Sequence, residues 1–124
     1  DRIADKTRIG TCLDTCHIFA AGYDISGAGA YMRTMEAFER IVGMDRLFVI
    51  HVNDAKKPCG SRVDRHAHIG EGMIGLEGFS ALINAPRLAG VAKILETPKK
   101  MDGRNADPVN LARLKKLYSS AAAG

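Results

Sequence analysis

The run LFVIHVND, residues 47–54, constrains the fold more than any other stretch. It is almost continuously apolar and rich in β-branched residues, whereas a strand with one wet face alternates apolar and polar. Such a run predicts a strand buried on both faces, and strands of that kind belong to parallel sheets covered by helices. VAKILET, residues 91–97, reads as a second buried strand, and TRIGTCL, residues 7–13, as a short one running into Asp14.

Between the strands the period changes. AYMRTMEAFERIV, residues 30–42, sets Tyr31, Met35, Phe38 and Val42 at helical spacing, with Gly43 as the C′ residue. LEGFSALIN, residues 76–84, is a short helix that Pro86 ends. A last helix takes Asp107 as N-cap and Pro108 at N1, carries Val109, Leu111, Leu114 and Tyr118 on one side, and has Lys115 and Lys116 near its C-terminal end. The tail AAAG is expected to fray. DTCHIFAAGYDISGAG is a loop with a helical turn, and PKKMDGRNA a polar loop. The order is βαβαβα, which predicts an α/β fold of about three βα units with parallel strands and right-handed crossovers. Neither a repeat nor a linker divides residues 1–124, so they read as a single unit. The chain starts at Asp1 rather than Met, as expected for a piece of a longer or trimmed protein.

The strands share a second property. With a period of two, Gly10, Cys12 and Asp14 lie on one face of the first, Val49, His51 and Asn53 on one face of the second, and Ala92, Ile94 and Glu96 on one face of the third. Each such face ends in a side chain able to bind a metal, at the strand's C-terminal end, where sites form in parallel α/β architectures. A lone carboxylate or imidazole in an apolar strand is costly unless it is paired or metal-bound. Taken singly, each could equally be a capping or hydrogen-bonding residue.

The stretch His51 to Gly75 concentrates the remaining chemistry. It holds three of the four histidines, and its carboxylates and imidazoles suit Zn²⁺ or Mn²⁺. Asp64 and His66 form an Asp-x-His pair whose side chains project to the same side of an extended chain. With His17, three residues after Asp14, they make a His/His/Asp set that leaves a coordination position open, as catalytic zinc requires. His68 is either a group behind the ligands or a plain surface histidine, and the second reading is preferred. Lys56, Lys57, Arg62 and Arg65 suit a phosphate-bearing ligand, with Lys99, Lys100 and Arg104 as weaker candidates. Solvation alone is the preferred reading for Lys99 and Lys100. A charged, solvated loop is the bland alternative for any one residue of the stretch.

Composition narrows the class. Hydrophobic residues make up 46% and charged residues 26%, which argues against disorder. The apolar runs are too short to span a membrane, and nothing marks secretion. The net charge of +4 favours a polyanionic partner. Three cysteines without a disulfide framework favour a reducing compartment, hence the cytoplasm. Cys12 reads as a small buried side chain.

CLDTCH followed by FAAGYD, then FVIHVNDAK, GSRVDRHAHIGEGMIG and ILET together closely resemble the C-terminal half of the endonuclease IV family, over roughly residues 7–97. The resemblance implies the end of a (β/α)₈ TIM barrel. It also implies a metal-dependent apurinic/apyrimidinic endonuclease of base-excision repair. Such an enzyme cuts double-stranded DNA on the 5′ side of abasic sites with up to three zinc ions, manganese serving some members. Asp14, His51 and Glu96 match ligands of one zinc, Asp14 and Glu96 being the carboxylates implied in catalysis. His17, Asp64 and His66 match the protein ligands of another. Arg65 lies in the matching DRH motif as an implied DNA contact, and Lys56 and Arg62 of the basic loop are expected to contact DNA phosphates beside it. Two further histidines and a bridging glutamate of the family have no counterpart in this chain. A complete barrel needs about 250 residues, so the resemblance implies an open part-barrel, poorly active alone, that needs its N-terminal half or self-association. The rivals are a metal-dependent sugar isomerase or epimerase on a related barrel, and a non-catalytic fragment that folds only with a partner.

Overall fold

The computed structural model describes residues 10–123, and the expected strand residues 7–9 lie outside them. Three parallel strands, β1 (Thr11–Asp14), β2 (Leu47–Val52) and β5 (Ala92–Leu95), form one sheet in the order β1-β2-β5. Helices α1 (Thr15–Ala21) and α2 (Ala28–Ile41) lead from β1 to β2. The connection from β2 to β5 carries a small antiparallel pair, β3 (Asp54–Ala55) with β4 (His66–Ala67), and then α3 (Gly75–Ile83). A second hairpin, β6 (Lys100–Met101) with β7 (Arg104–Asn105), precedes α4 (Asp107–Ala123). This is the expected α/β part-barrel of three parallel strands with helices.

Local chemistry accounts for the element ends. Asp14 caps α1, its Oδ1 accepting the His17 N–H at 3.0 Å. The Gly22 N–H closes the helix on the Ile18 and Phe19 carbonyls at a φ of 116°. Gly43 takes the expected C′ place after α2, at a φ of 98°, with its N–H on the Phe38 carbonyl. Pro86 opens a short 3-10 turn just after α3. Asp102 and Gly103 both have positive φ, 51° and 77°, and so close β6–β7 into a tight hairpin.

The helix-covered face of the sheet is the buried one. Leu13, Ile50 and Val52 point into a core completed by Phe19, Ile25, Ile69, Phe79 and Leu82. Burying side chains such as Ile50 and Phe79 completely stabilises the fold by about 1.5–3 kcal/mol each. The opposite face is open. Ile94 is 48% exposed, Ala92 and Cys12 are exposed, and Val49 and His51 are half-buried. Two expectations fail here for one reason. Among the described residues β2 and β5 are covered on one face only, and Cys12 is exposed, because three strands cannot close into a barrel over their second face. Cys16, on α1, is the buried cysteine.

Three further expectations change. Asp107 is the first residue of α4 rather than its cap, and its N–H donates to Asn105 Oδ1 at 3.2 Å. Within α4, Asn110, Leu114 and Leu117 turn inward, while Val109, Leu111 and Tyr118 stay exposed. The helix also runs into the tail that was expected to fray, up to Ala123, with Gly124 outside the described residues.

Candidate functional site

The parallel register sets Asp14 beside His51, and His51 beside Ile94, so Glu96 emerges two residues further along the same face. The three side chains meet: ligand-type atoms of Asp14, His51 and Glu96 lie within 4.8 Å of one another. His51 Nδ1 stands 2.5 Å from Glu96 Oε1. A second set within the same limit is Cys16, Asp64 and His66. The β3–β4 pairing, continued by the Lys56 N–H on the Arg65 carbonyl at 3.0 Å, folds the 56–65 loop back so that Asp64 and His66 face the strand ends.

His66 joins the two sets. Its Nδ1 lies 2.8 Å from the Glu96 carbonyl, an atom that only accepts, so Nδ1 carries the proton. Nε2 faces Asp14 Oδ2 at 3.4 Å and Asp64 Oδ1 at 3.5 Å, and in a neutral ring it would be a bare lone pair. A lone pair aimed at two carboxylate oxygens repels them unless a proton or a cation stands between. A backbone carbonyl fixing the far nitrogen is the usual support of a metal-ligating histidine. The donor types, nitrogen and carboxylate oxygen, are those of zinc and manganese, so the residues fit a divalent cation.

His17 Nδ1 lies 3.2 Å from Asp64 Oδ2, so the chain brings that pair together, but the tight second set has Cys16 where His17 was expected. Burial, with the hydrogen bond and negative charge of Asp64, pushes the Cys16 thiol up to about 12, and Sγ–H donates to the Arg65 carbonyl at 3.3 Å. That bond ties the Asp64–His66 segment to α1. Burial pushes the Asp64 carboxyl up, but hydrogen bonds from Cys16 and His17 and the charges of His66 and His17 outweigh it and hold it below the ordinary carboxylate range.

Lys56, Lys57, Arg62 and Arg65 are all exposed on the loop that leads to Asp64 and His66. Arg62 has a φ of 61°, unusual for a residue with a side chain, and its N–H is held by the Ala20 carbonyl at 2.9 Å. Lys99 pairs with Asp107 at 3.1 Å, while Lys100 and Arg104 are exposed. His68 is not a plain surface histidine. It is half-buried, and Asn110 Nδ2 lies 3.1 Å from its Nδ1.

Two buried residues were missed as organisers. Asn110 also accepts the Ile69 N–H and donates to Thr97 Oγ1, tying the histidine loop to the end of β5. Asp54 is fully buried and accepts N–H groups of Ala55, Gly70, Gly72, Ile74 and Gly75. Apart from Ala55, those donors lie in the Gly70–Gly75 turn that leads into α3, and backbone N–H groups converging in this way make an anion-holding nest. Here a carboxylate of the chain fills it. The run of glycines around it was the available signal: a Cβ at Gly72 would lie 2.4 Å from the Ala55 carbonyl oxygen and 2.5 Å from Asp54 Oδ1.

Fold and site together define a parallel α/β barrel segment with a carboxylate–imidazole cluster on its C-terminal rim. The chain belongs to the xylose isomerase-like TIM barrel family, whose sequence profile matches residues 1–117. It is 53% identical over 114 residues to the probable endonuclease 4 of Geotalea daltonii, covering 92% of this chain and 40% of that protein. To the probable endonuclease 4 of Chlorobium phaeovibrioides it is 57% identical over 98 residues, 79% of this chain and 35% of the relative. Among solved structures it is similar to endonuclease IV from Thermus thermophilus, with a TM-score of 0.75 and 39% identity over 88% of this chain and 38% of that one. The chain thus spans about 40% of the length of these relatives.

Proposed function

We propose that residues 1–124 act as one unit, the C-terminal part of a zinc-dependent endonuclease that hydrolyses the DNA backbone 5′ to abasic sites in base-excision repair. One observation carries the cation reading: His66 Nε2 faces two carboxylate oxygens, Asp14 Oδ2 at 3.4 Å and Asp64 Oδ1 at 3.5 Å, while its Nδ1 is held by the Glu96 carbonyl. The endonuclease names of relatives at 52–57% identity support the reaction.

Asp14, His51 and Glu96 would hold one ion, and His17, Asp64 and His66 another, with manganese an alternative metal. Bound there, divalent cations supply an activated water and neutralise charge on the scissile phosphate. The chain's own part is positional. Asp14 and Glu96, the proposed catalytic carboxylates, fix the donor geometry on rigid strand ends, and His51 locks Glu96 in place. Lys56, Arg62 and Arg65 would hold the flanking phosphates, because Asp54 has already taken the backbone anion nest. Such contacts make binding steeply salt-dependent.

The sheet stays open at both β1 and β5 among the described residues, and each edge carries an apolar groove: Leu13, Ile18 and Phe38 line one, Leu95, Leu111 and Tyr118 the other. We infer that the missing barrel strands, or a further copy of the chain, cover these edges, and that the protein works in the cytoplasm. No helix among the described residues is long and apolar enough to cross a membrane.

The test is His66→Ala, with zinc content and nicking of an abasic-site duplex read together in a chain extended to the length of the relatives. Both should fall. Unchanged zinc stoichiometry would refute the ligand assignment, and turnover of a ketose without nicking would favour the isomerase rival.

A further inference from the structure

Asp14 and Glu96 stand on strands that are not neighbours, for β2 lies between β1 and β5. Asp14 pairs with His51 on β2, but Glu96 lies one residue past the last β2–β5 pair, Val52 with Leu95, so its place relative to Asp14 depends on what crosses the end of β2. Asn53, the residue just after that strand, makes the crossing. Its side chain is fully buried. Oδ1 accepts the Glu96 N–H at 2.9 Å, and Nδ2 donates to Asp14 Oδ2 at 3.3 Å. The Glu96 N–H can only donate, which fixes which end of the amide is oxygen and turns Nδ2 toward Asp14. The backbone of Asn53 is held in turn. Its N–H donates to Thr15 Oγ1 at 2.8 Å, and the same hydroxyl donates to its carbonyl at 2.6 Å. Thr15 is itself fully buried and directly follows Asp14.

We propose that Asn53 is a positioning residue: it clamps the ends of β1 and β5 across β2 and so sets the Asp14–Glu96 separation and the rotation of the Asp14 carboxylate. This rests on the cation reading of the cluster given above. Groups that orient metal ligands through hydrogen bonds typically alter metal affinity 10–100-fold when removed.

The test titrates the chain with Co²⁺ as an absorbing probe, comparing wild type, Asn53→Ala and Asn53→Asp. Asn53→Ala should bind cobalt at least tenfold more weakly. Both variants should shift the visible bands of bound cobalt, because Asn53→Asp keeps the acceptor for Glu96 but loses the donor to Asp14. Folding is followed by far-ultraviolet circular dichroism on the same samples, and where the alanine variant does not fold the isosteric aspartate carries the comparison. Wild-type affinity and bands in a folded variant would overturn the proposal, leaving Asn53 as packing alone. A wild-type chain that takes up no cobalt refutes the cation reading instead. The clamp is then decided by hydrogen exchange of the Asn53 side-chain amide: protection supports it, and exchange at the rate of a free amide overturns it.

Discussion

Replacing Asp54 with asparagine should destabilise the chain far more than so small a change suggests. Oδ1 accepts from Ala55 at 2.8 Å and Ile74 at 2.9 Å, Oδ2 from Gly70 at 2.9 Å and Gly72 at 3.1 Å, and the Gly75 N–H lies between them at 3.4 and 3.3 Å. An asparagine side chain has the same shape but one accepting atom fewer. Whichever way its amide turns, two backbone N–H groups meet an NH₂ that can only donate. A buried donor left unsatisfied costs about 1–3 kcal/mol, so two of them give about 2–6 kcal/mol. That is a large part of a total stability on the order of 5–15 kcal/mol. With a urea m-value of about 1–3 kcal/mol/M, the unfolding midpoint should fall by about 2 M without a change of slope. Amide hydrogen exchange locates the effect: protection of Gly70, Gly72 and Ile74 should be lost first. A midpoint within about 0.3 M of wild type, with those amides still protected, would refute the internal-anion account of the loop.

Two other predictions follow from titratable groups. A thiol reagent should label exposed Cys12 ahead of Cys59, whose thiol is pushed up by burial and by Asp24, and should reach Cys16 only on unfolding, as mass spectrometry of timed samples would show. Hydrogen bonds from the Ser26 hydroxyl and N–H hold the Asp24 carboxyl below its ordinary 3.8. Its contribution is therefore present above that value and lost as pH falls through the folded value, so Ser26→Ala should flatten the decline in melting temperature below about pH 4. An unchanged acid limb would show that this pair does not contribute.

The amino-acid sequence by itself determined the order of the three parallel strands and of α2, α3 and α4, and the face on which each strand carries its polar end, whereas α1 and the β3–β4 and β6–β7 pairs fall largely in stretches that read as loops. A two-residue period places Asp14, His51 and Glu96 without knowledge of the partners, and DRH puts Asp64 and His66 on one side of the chain for the same reason. The DG at 102–103 was a legible hairpin signal that polar composition concealed. Tertiary structure decided which faces stay wet. Three strands leave their second face open, so Cys12 is exposed and Cys16 is buried, a choice that the apolar character of neither residue specifies. It also decided the connectivity of the polar groups. Asn53 and Asp54 are adjacent and equally buried, yet one reaches across two strands to Asp14 and Glu96 and the other back to a glycine loop some twenty residues on. Local propensity has no term for a hydrogen bond between residues so far apart in the chain. Only the packing of α1, β2 and the 56–75 connection brings those donors and acceptors within reach.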